Sequence, residues 1–417
     1  MADGSQADSI LEVMNSASSY SLPSELPRST HCIFELESEI FKSTEVEYKP
    51  FLFSIPNCNS DAYKPHLFSI GPINYGKGFS SAESCKKKYV NQLLTRTSSN
   101  FKTTLRECLV SVKNIENQVR LCYSIDINQS SDDFVTVMVI DGLFLIELFL
   151  RHAKLVDTYV EDPLLQYSSR SSLVHDLVLL ENQLPMMVLD CLSNIQAVKN
   201  LLNGQYISKL AVKFFDELFM RPRLQQEGVV LERRCLGFNG KHLLELLGRT
   251  FYPPPLKSIH HRDWSLKIIP IMKKLKQDGV KIKRGSLECG SLNITFCDGV
   301  LIIPPMTIRR NTETLFRNII AYELCAEEMT YMTSYVFIMG CLLDSVKDVE
   351  ILCSKGIIIN HGLGSNDQIY DFLKKLSLEL QVFPFYYSQL CDEVKAWCMS
   401  QPQVLKKCVR LLGFKKL

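Results

Sequence analysis

The 417-residue chain has no marked excess of either charge, no CxxC pair and no uninterrupted apolar stretch of membrane-spanning length. Each lack excludes something. Lys plus Arg number 47 against 45 Asp plus Glu, a net charge of +2, so no global field draws the chain to nucleic acid. Fifteen cysteines are many, but their odd count and scatter argue against a disulfide framework or a zinc knuckle. Mostly buried, inert thiols in a reducing compartment are expected. The longest apolar run, Phe134 to Leu150, is broken by Asp141, Gly142 and Glu147. It falls short of the roughly 20 residues a spanning helix needs, so no transmembrane helix is expected. Residues 1–30 are Ser-rich, with neither a basic n-region nor an apolar h-region; they read as disordered, without a signal peptide. Also missing are the nucleophile elbow, the dinucleotide fingerprint, the phosphate-loop spacing and the zinc-protease helix. His260-His261 with Asp263 offers no third ligand at useful spacing. No cofactor, no metal and no nucleic-acid partner are therefore expected.

What is present reads as a globular protein with ample material for a core: 46% hydrophobic and 22% charged residues. Helical signals dominate. Ser80 with Glu83 resembles a capping box opening a helix that turns Lys86, Lys87 and Lys88 outward. Further helices are expected near Ile33–Phe41, over Phe101–Tyr123, through the run to Leu150, and over Tyr206–Phe219. Others are expected over Thr312–Tyr331, over Tyr335–Lys355 with Gly356 at C′, and from Ser365 to Leu380. Residues 221–263 read as irregular. Near Val280 the pattern changes. LNITFC and VLIIPP flank Asp298-Gly299, a two-residue hairpin turn, and VKIKRG and SLEC add one or two short strands. The fold class is mainly α with a small antiparallel β insertion (α+β). It reads as one large helical domain over 31–403, with the insertion at about 280–305.

Val174 to Leu192, VHDLVLLENQLPMMVLDCL, is apolar almost all round and interrupted by Pro185. It reads as a buried central helix. Pro185 cannot donate its backbone bond, so carbonyls are freed in an apolar setting, and Asn182 and Gln183 can supply donors there. A satisfied kink, or two helices meeting with Pro185 at N1, outweighs a catalytic role for Glu181. Asp141 before Gly142 resembles an N-cap. Glu147 stands four residues before Arg151, the favourable order for an ion pair, and about 240° around a helix from Asp141. Acid/base chemistry needs no cofactor motif, and Glu181, Asp176, His175 and Glu147 could together line an apolar pocket. Val404 to Leu417 carries Lys406, Lys407, Arg410, Lys415 and Lys416 with no acidic residue, interleaved with apolar side chains. That composition suits a basic amphipathic helix touching a partner or an anionic membrane surface.

Four segments together resemble the plant-specific family called "domain of unknown function 247". They are YKPHLFSIGPINYGKG followed by SAESCKKKY (63–89), MVIDGLFLIELFL (138–150), LVHDLVLLENQLPMMVL (173–189), and the part from FRNIIAYE to VEILCSKGIIINHGLGS (316–365). The resemblance covers roughly 35 to 400, and LENQLP is its most specific part. It implies plant origin and a shared fold, with no catalytic mechanism to carry over. Members of that family usually end in a hydrophobic anchor, whereas this chain runs into its basic segment. Two functions are therefore expected. One is a non-catalytic interaction or recognition protein, cytoplasmic or peripheral to a membrane, with a protein or an anionic membrane surface as partner. The alternative is a cofactor-independent enzyme of cyclase or isomerase type acting on a plant small molecule.

Overall fold

A computed structural model of the chain describes residues 50, 52, 61–97, 101–157, 164, 167–219, 240–253, 264–288, 290–326, 329–362, 364–380, 382 and 384–400. The Ser-rich start, the expected helix near 33–41, His260, His261, Asp263 and all five basic residues of 404–417 lie outside the described residues. In chain order the helices are α1 (Ser80–Thr97), α2 (Phe101–Asn114), α3 (Glu116–Leu121), α4 (Ser131–His152) and α5 (Tyr167–Leu177). Then come α6 (Met186–Ser193), α7 (Gln196–Leu201), α8 (Ile207–Phe219), α9 (Leu243–Phe251) and α10 (Met272–Gln277). Strands β1 (Lys281–Arg284), β2 (Thr295–Cys297), β3 (Val300–Ile303) and β4 (Met306–Ile308) precede α11 (Thr312–Cys325), α12 (Tyr331–Leu342) and α13 (Val346–Ser354). The chain continues through β5 (Ile358–Asn360), α14 (Asn366–Leu378) and α15 (Ser388–Ser400). The fold is mainly helical, with few and short strands.

The chain clusters into two compact units. Among the described residues one takes in 50, 52, 68–157 and 184–207, and the other 61–67, 164–183 and those from 208 onward. In the first unit α4 is the centre, packed against α1, α2 and α6, with every residue from Val137 to Leu150 buried. Its start is marked by Ser130, whose hydroxyl accepts the Asp133 N–H at 3.2 Å. Gly142 lets α6 approach: a Cβ there would collide with the Leu192 side chain and meet Val188 at 3.5 Å. Asp141 is thus no N-cap but lies mid-helix. Lys86 is not outward either; Lys87 and Lys88 are exposed, while Lys86 is buried and bonds Asp141 at 2.5 Å and Glu83 at 2.7 Å. The Gly71 N–H also donates to Asp141, at 2.8 Å. Burial pushes the Asp141 carboxyl up to about 6 even so. Ser80 is the first residue of α1 rather than its cap, and Glu83 turns its carboxylate to Lys86.

In the second unit α12 packs on α11 and α14, and α9 lies against α11. The expected helix over 312–331 stops at Cys325, and that over 335–355 is split, because Ser345 and Asp348 form a capping box that starts α13. Gly356 follows the end of α13 at φ +66°, as a C′ glycine. Glu323, fully buried, accepts the Met332 and Thr333 N–H groups at 2.7 and 2.9 Å, satisfying donors at the start of α12. Burial lifts its carboxyl to about 7 despite those donors. Within the stretch expected to be irregular, α9 forms behind an unusual cap: the His242 ring accepts the Glu245 N–H at 3.3 Å.

The hairpin closes as expected. Asp298 (φ 48°) and Gly299 (φ 76°) both adopt positive φ, as a type I′ turn requires, joining antiparallel β2 and β3. However, β1 runs parallel to β3, so the sheet, ordered β1-β3-β2, is mixed rather than purely antiparallel. SLEC contributes no strand among its described residues. A second pairing, β4 parallel to β5, sets Met306 opposite Ile358 through the α11–α13 crossover, a connection that periodicity alone does not reveal. No described helix is long and apolar enough to cross a membrane. Ten described cysteines are free, and burial pushes Cys108, Cys122 and Cys391 up to about 12.

Candidate functional site

The segment 174–192 is not one kinked helix. α5 ends at Leu177, α6 begins at Met186, and Pro185 is the N-cap residue, its carbonyl accepting the Val188 N–H at 3.0 Å. Of the two readings of Pro185, the meeting of two helices is the nearer, with the proline one position before N1. Between the helices Val178, Leu179 and Leu180 are fully buried, so their backbone polar groups need protein partners. Asn182 and Gln183 serve as the expected donors: Asn182 Nδ2 bonds the Asp176 carbonyl at 3.0 Å, and Gln183 Nε2 bonds those of Leu177 and Leu179 at 2.8 and 2.9 Å. Gln183 Oε1 in turn accepts the Leu244 N–H at 3.0 Å, tying the start of α9 to this turn. From α11, Asn318 Oδ1 accepts the Leu180 N–H at 2.9 Å, while its Nδ2 reaches the Ala62 carbonyl at 2.8 Å.

The end of α5 meets the segment 61–67 in the same unit. Asp176 is fully buried, and its two oxygens accept the His66 and Leu67 N–H groups, each at 2.7 Å. His175 stacks on His66 with ring centroids 3.8 Å apart and planes within 10°. Its Nε2 lies 3.1 Å from the Lys64 carbonyl and its Nδ1 3.1 Å from the Thr314 hydroxyl. A carbonyl has no hydrogen to give, so Nε2 carries the proton and Nδ1 accepts from Thr314. Burial, with His66 adding to it, holds His175 below the ordinary histidine value.

Of the four nominated acid/base residues, His175 and Asp176 come together with His66. Glu181 stands half-buried beyond the end of α5. Glu147 has its partners inside the other unit: Arg151 Nε at 2.6 Å, as its spacing foretells, and Arg96 Nη1 at 2.9 Å from its second oxygen. The Arg151 guanidinium in turn lies 4.0 Å over the Tyr89 ring. Sequence reasoning missed His66, Thr314 and Asn318. Asn318 had a signal, an amide in the middle of the apolar helix FRNIIAYE. His66 had none, because its backbone partner Asp176 is 110 positions away.

Comparison with known proteins places these residues in a wider group. UPF0481 protein At3g47200 of Arabidopsis thaliana is 28% identical, over 79% of this chain and 72% of its own length. Putative UPF0481 protein At3g02645 of the same plant is 20% identical, over 78% of each. No solved structure matches the chain. Residues 52–413 match the family described as DUF247, plant protein of unknown function, a span that holds every side chain of the network around α5 and its following turn: the chain belongs to this family.

Proposed function

We propose that the chain is a non-catalytic interaction protein, cytoplasmic or peripheral to a membrane, and that the basic segment 404–417 makes its contact with an anionic surface. The observation that carries the reading is how two of the three nominated acids, Asp176 and Glu147, are used. Both oxygens of Asp176 hold the backbone of 66–67, and both oxygens of Glu147 hold arginines. A general acid or base must reach a substrate proton within about 3 Å, and the bonds on these two carboxylates favour a role in holding the fold. The surface partner follows from composition: five basic and no acidic residues interleaved with Val404, Leu405, Val409, Leu412 and Phe414.

Vesicle flotation tests it. The full chain is expected to float with vesicles containing phosphatidylserine and to stay behind with neutral ones, and a chain ending at residue 403 is expected to stay behind with both. Equal flotation of the two chains would remove the segment from the reading. Turnover of a plant metabolite by the full chain, lost in both D176N and E147Q variants that remain folded, would overturn its non-catalytic part.

A further inference from the structure

We infer that His66, His175 and Asp176 form a binding site for a divalent ion of the zinc type, closing the segment 61–67 onto α5 as a metal clip. One ligand atom from each lies within 4.8 Å of the other two, and His175 and Asp176 are buried while His66 is exposed. Two imidazoles and one carboxylate are a donor set that borderline metals take, whereas magnesium and calcium prefer oxygen alone. Three protein ligands leave a tetrahedral ion one further position.

The existing bonds are compatible with such an ion and constrain how it binds. A carboxylate offers about four acceptor positions, and the two backbone N–H bonds take one on each Asp176 oxygen. Those bonds fix its plane, as outer-shell bonds do for metal-binding carboxylates. One of the two 3.1 Å ring contacts of His175 gives way to the ion. Stacked rings with planes 10° apart cannot both aim an in-plane lone pair at one ion. One ring must turn. His66 is the exposed one, so binding proceeds by rotation of His66 out of the stack while its backbone N–H stays on Asp176. A bound ion would thus tie the segment to α5 through a side chain as well as through the backbone.

The test uses the full chain, stripped of metal by chelation, with zinc chloride alone as titrant. Calorimetry, together with melting temperature, is expected to show a saturable, tight binding event that magnesium and calcium do not reproduce. Two variants isolate the site. H66A removes an exposed side chain, and H66F keeps an aromatic ring against His175 but offers no nitrogen. Each is expected to melt like the parent without zinc and to lose that event, at least about tenfold in affinity. Cobalt should give the visible absorption of a nitrogen- and oxygen-bound ion in the parent and lose it in both variants. Zinc binding unchanged in H66F, as cysteine ligation elsewhere would leave it, overturns the proposal. So does a response equalled by calcium.

Discussion

Lys86 and Asp141 allow the sharpest test of how the first unit is held. The side chain of Lys86 is 0% exposed and that of Asp141 is 2%, and they meet at 2.5 Å across α1 and α4. Replacing Lys86 by Met keeps an apolar chain of similar length and removes the ammonium. Asp141 then retains the Gly71 N–H as a donor. Breaking one side of a buried pair in this way costs about 3–5 kcal/mol. The loss has a pH signature. Burial already raises Asp141 to about 6, and a raised carboxyl binds its proton more tightly in the folded state, so its contribution to stability falls as pH rises through that range. Without Lys86 the carboxyl rises further, and K86M is expected to regain stability on acidification to about pH 5 relative to the parent. The double variant K86M/D141N buries no charge, keeps an acceptor for Gly71, and leaves one amide group without its former partner, a cost of about 1–3 kcal/mol. It should therefore be more stable than K86M alone. Both tryptophans, Trp264 and Trp397, belong to the other unit, so fluorescence does not report this one. Urea unfolding followed by far-ultraviolet circular dichroism, with hydrogen exchange along α4, reads the effect. A K86M loss below about 1 kcal/mol, or a double variant no better than K86M, would refute the reasoning.

Two further outcomes are expected. Glu323, lifted by burial from its ordinary 4.5 to about 7, makes the folded state lose stability as pH rises between those values; E323Q should flatten that slope in a series of melting temperatures, and an unchanged slope would assign it elsewhere. Gly142→Ala should cost about 1–3 kcal/mol by forcing Leu192 aside, and adding Leu192→Ala should relieve the overlap, read as non-additive losses in urea unfolding.

Legibility in the sequence followed the distance between partners. The Asp298-Gly299 turn, the C′ role of Gly356, the Glu147–Arg151 pair and the donors at Asn182 and Gln183 rest on neighbours within a few positions, and the pattern announces them. Lys86 was misread because a lysine on an amphipathic helix ordinarily faces water; its partner lies 55 positions on. Asp141-Gly142 mimics a cap because the two reasons for those residues, a buried cation and the close approach of α6, come from other helices. β1 beside β3 needs a parallel pairing that no turn signal specifies. The helix α9 was hidden by its histidine cap, which lies outside the usual Ser, Thr, Asp and Asn set. At the candidate site the same rule holds: His175 and Asp176 stand out as polar residues in an apolar run, whereas His66 is 109 positions from His175.

The LENQLP segment answers a demand of backbone chemistry. LENQLP leaves a helix inside a core where Val178 to Leu180 are fully buried, and a break in such a place exposes carbonyls and N–H groups to no water. Asn182, Gln183 and Asn318 supply partners that a hydrophobic residue of equal size could not, and each lost bond would leave a buried group costing about 1–3 kcal/mol. Asp176 does the same for residues 66 and 67. In this chain each of these side chains answers a demand of the fold. The exposed ring of His66 takes no part in these bonds, which its backbone N–H makes instead.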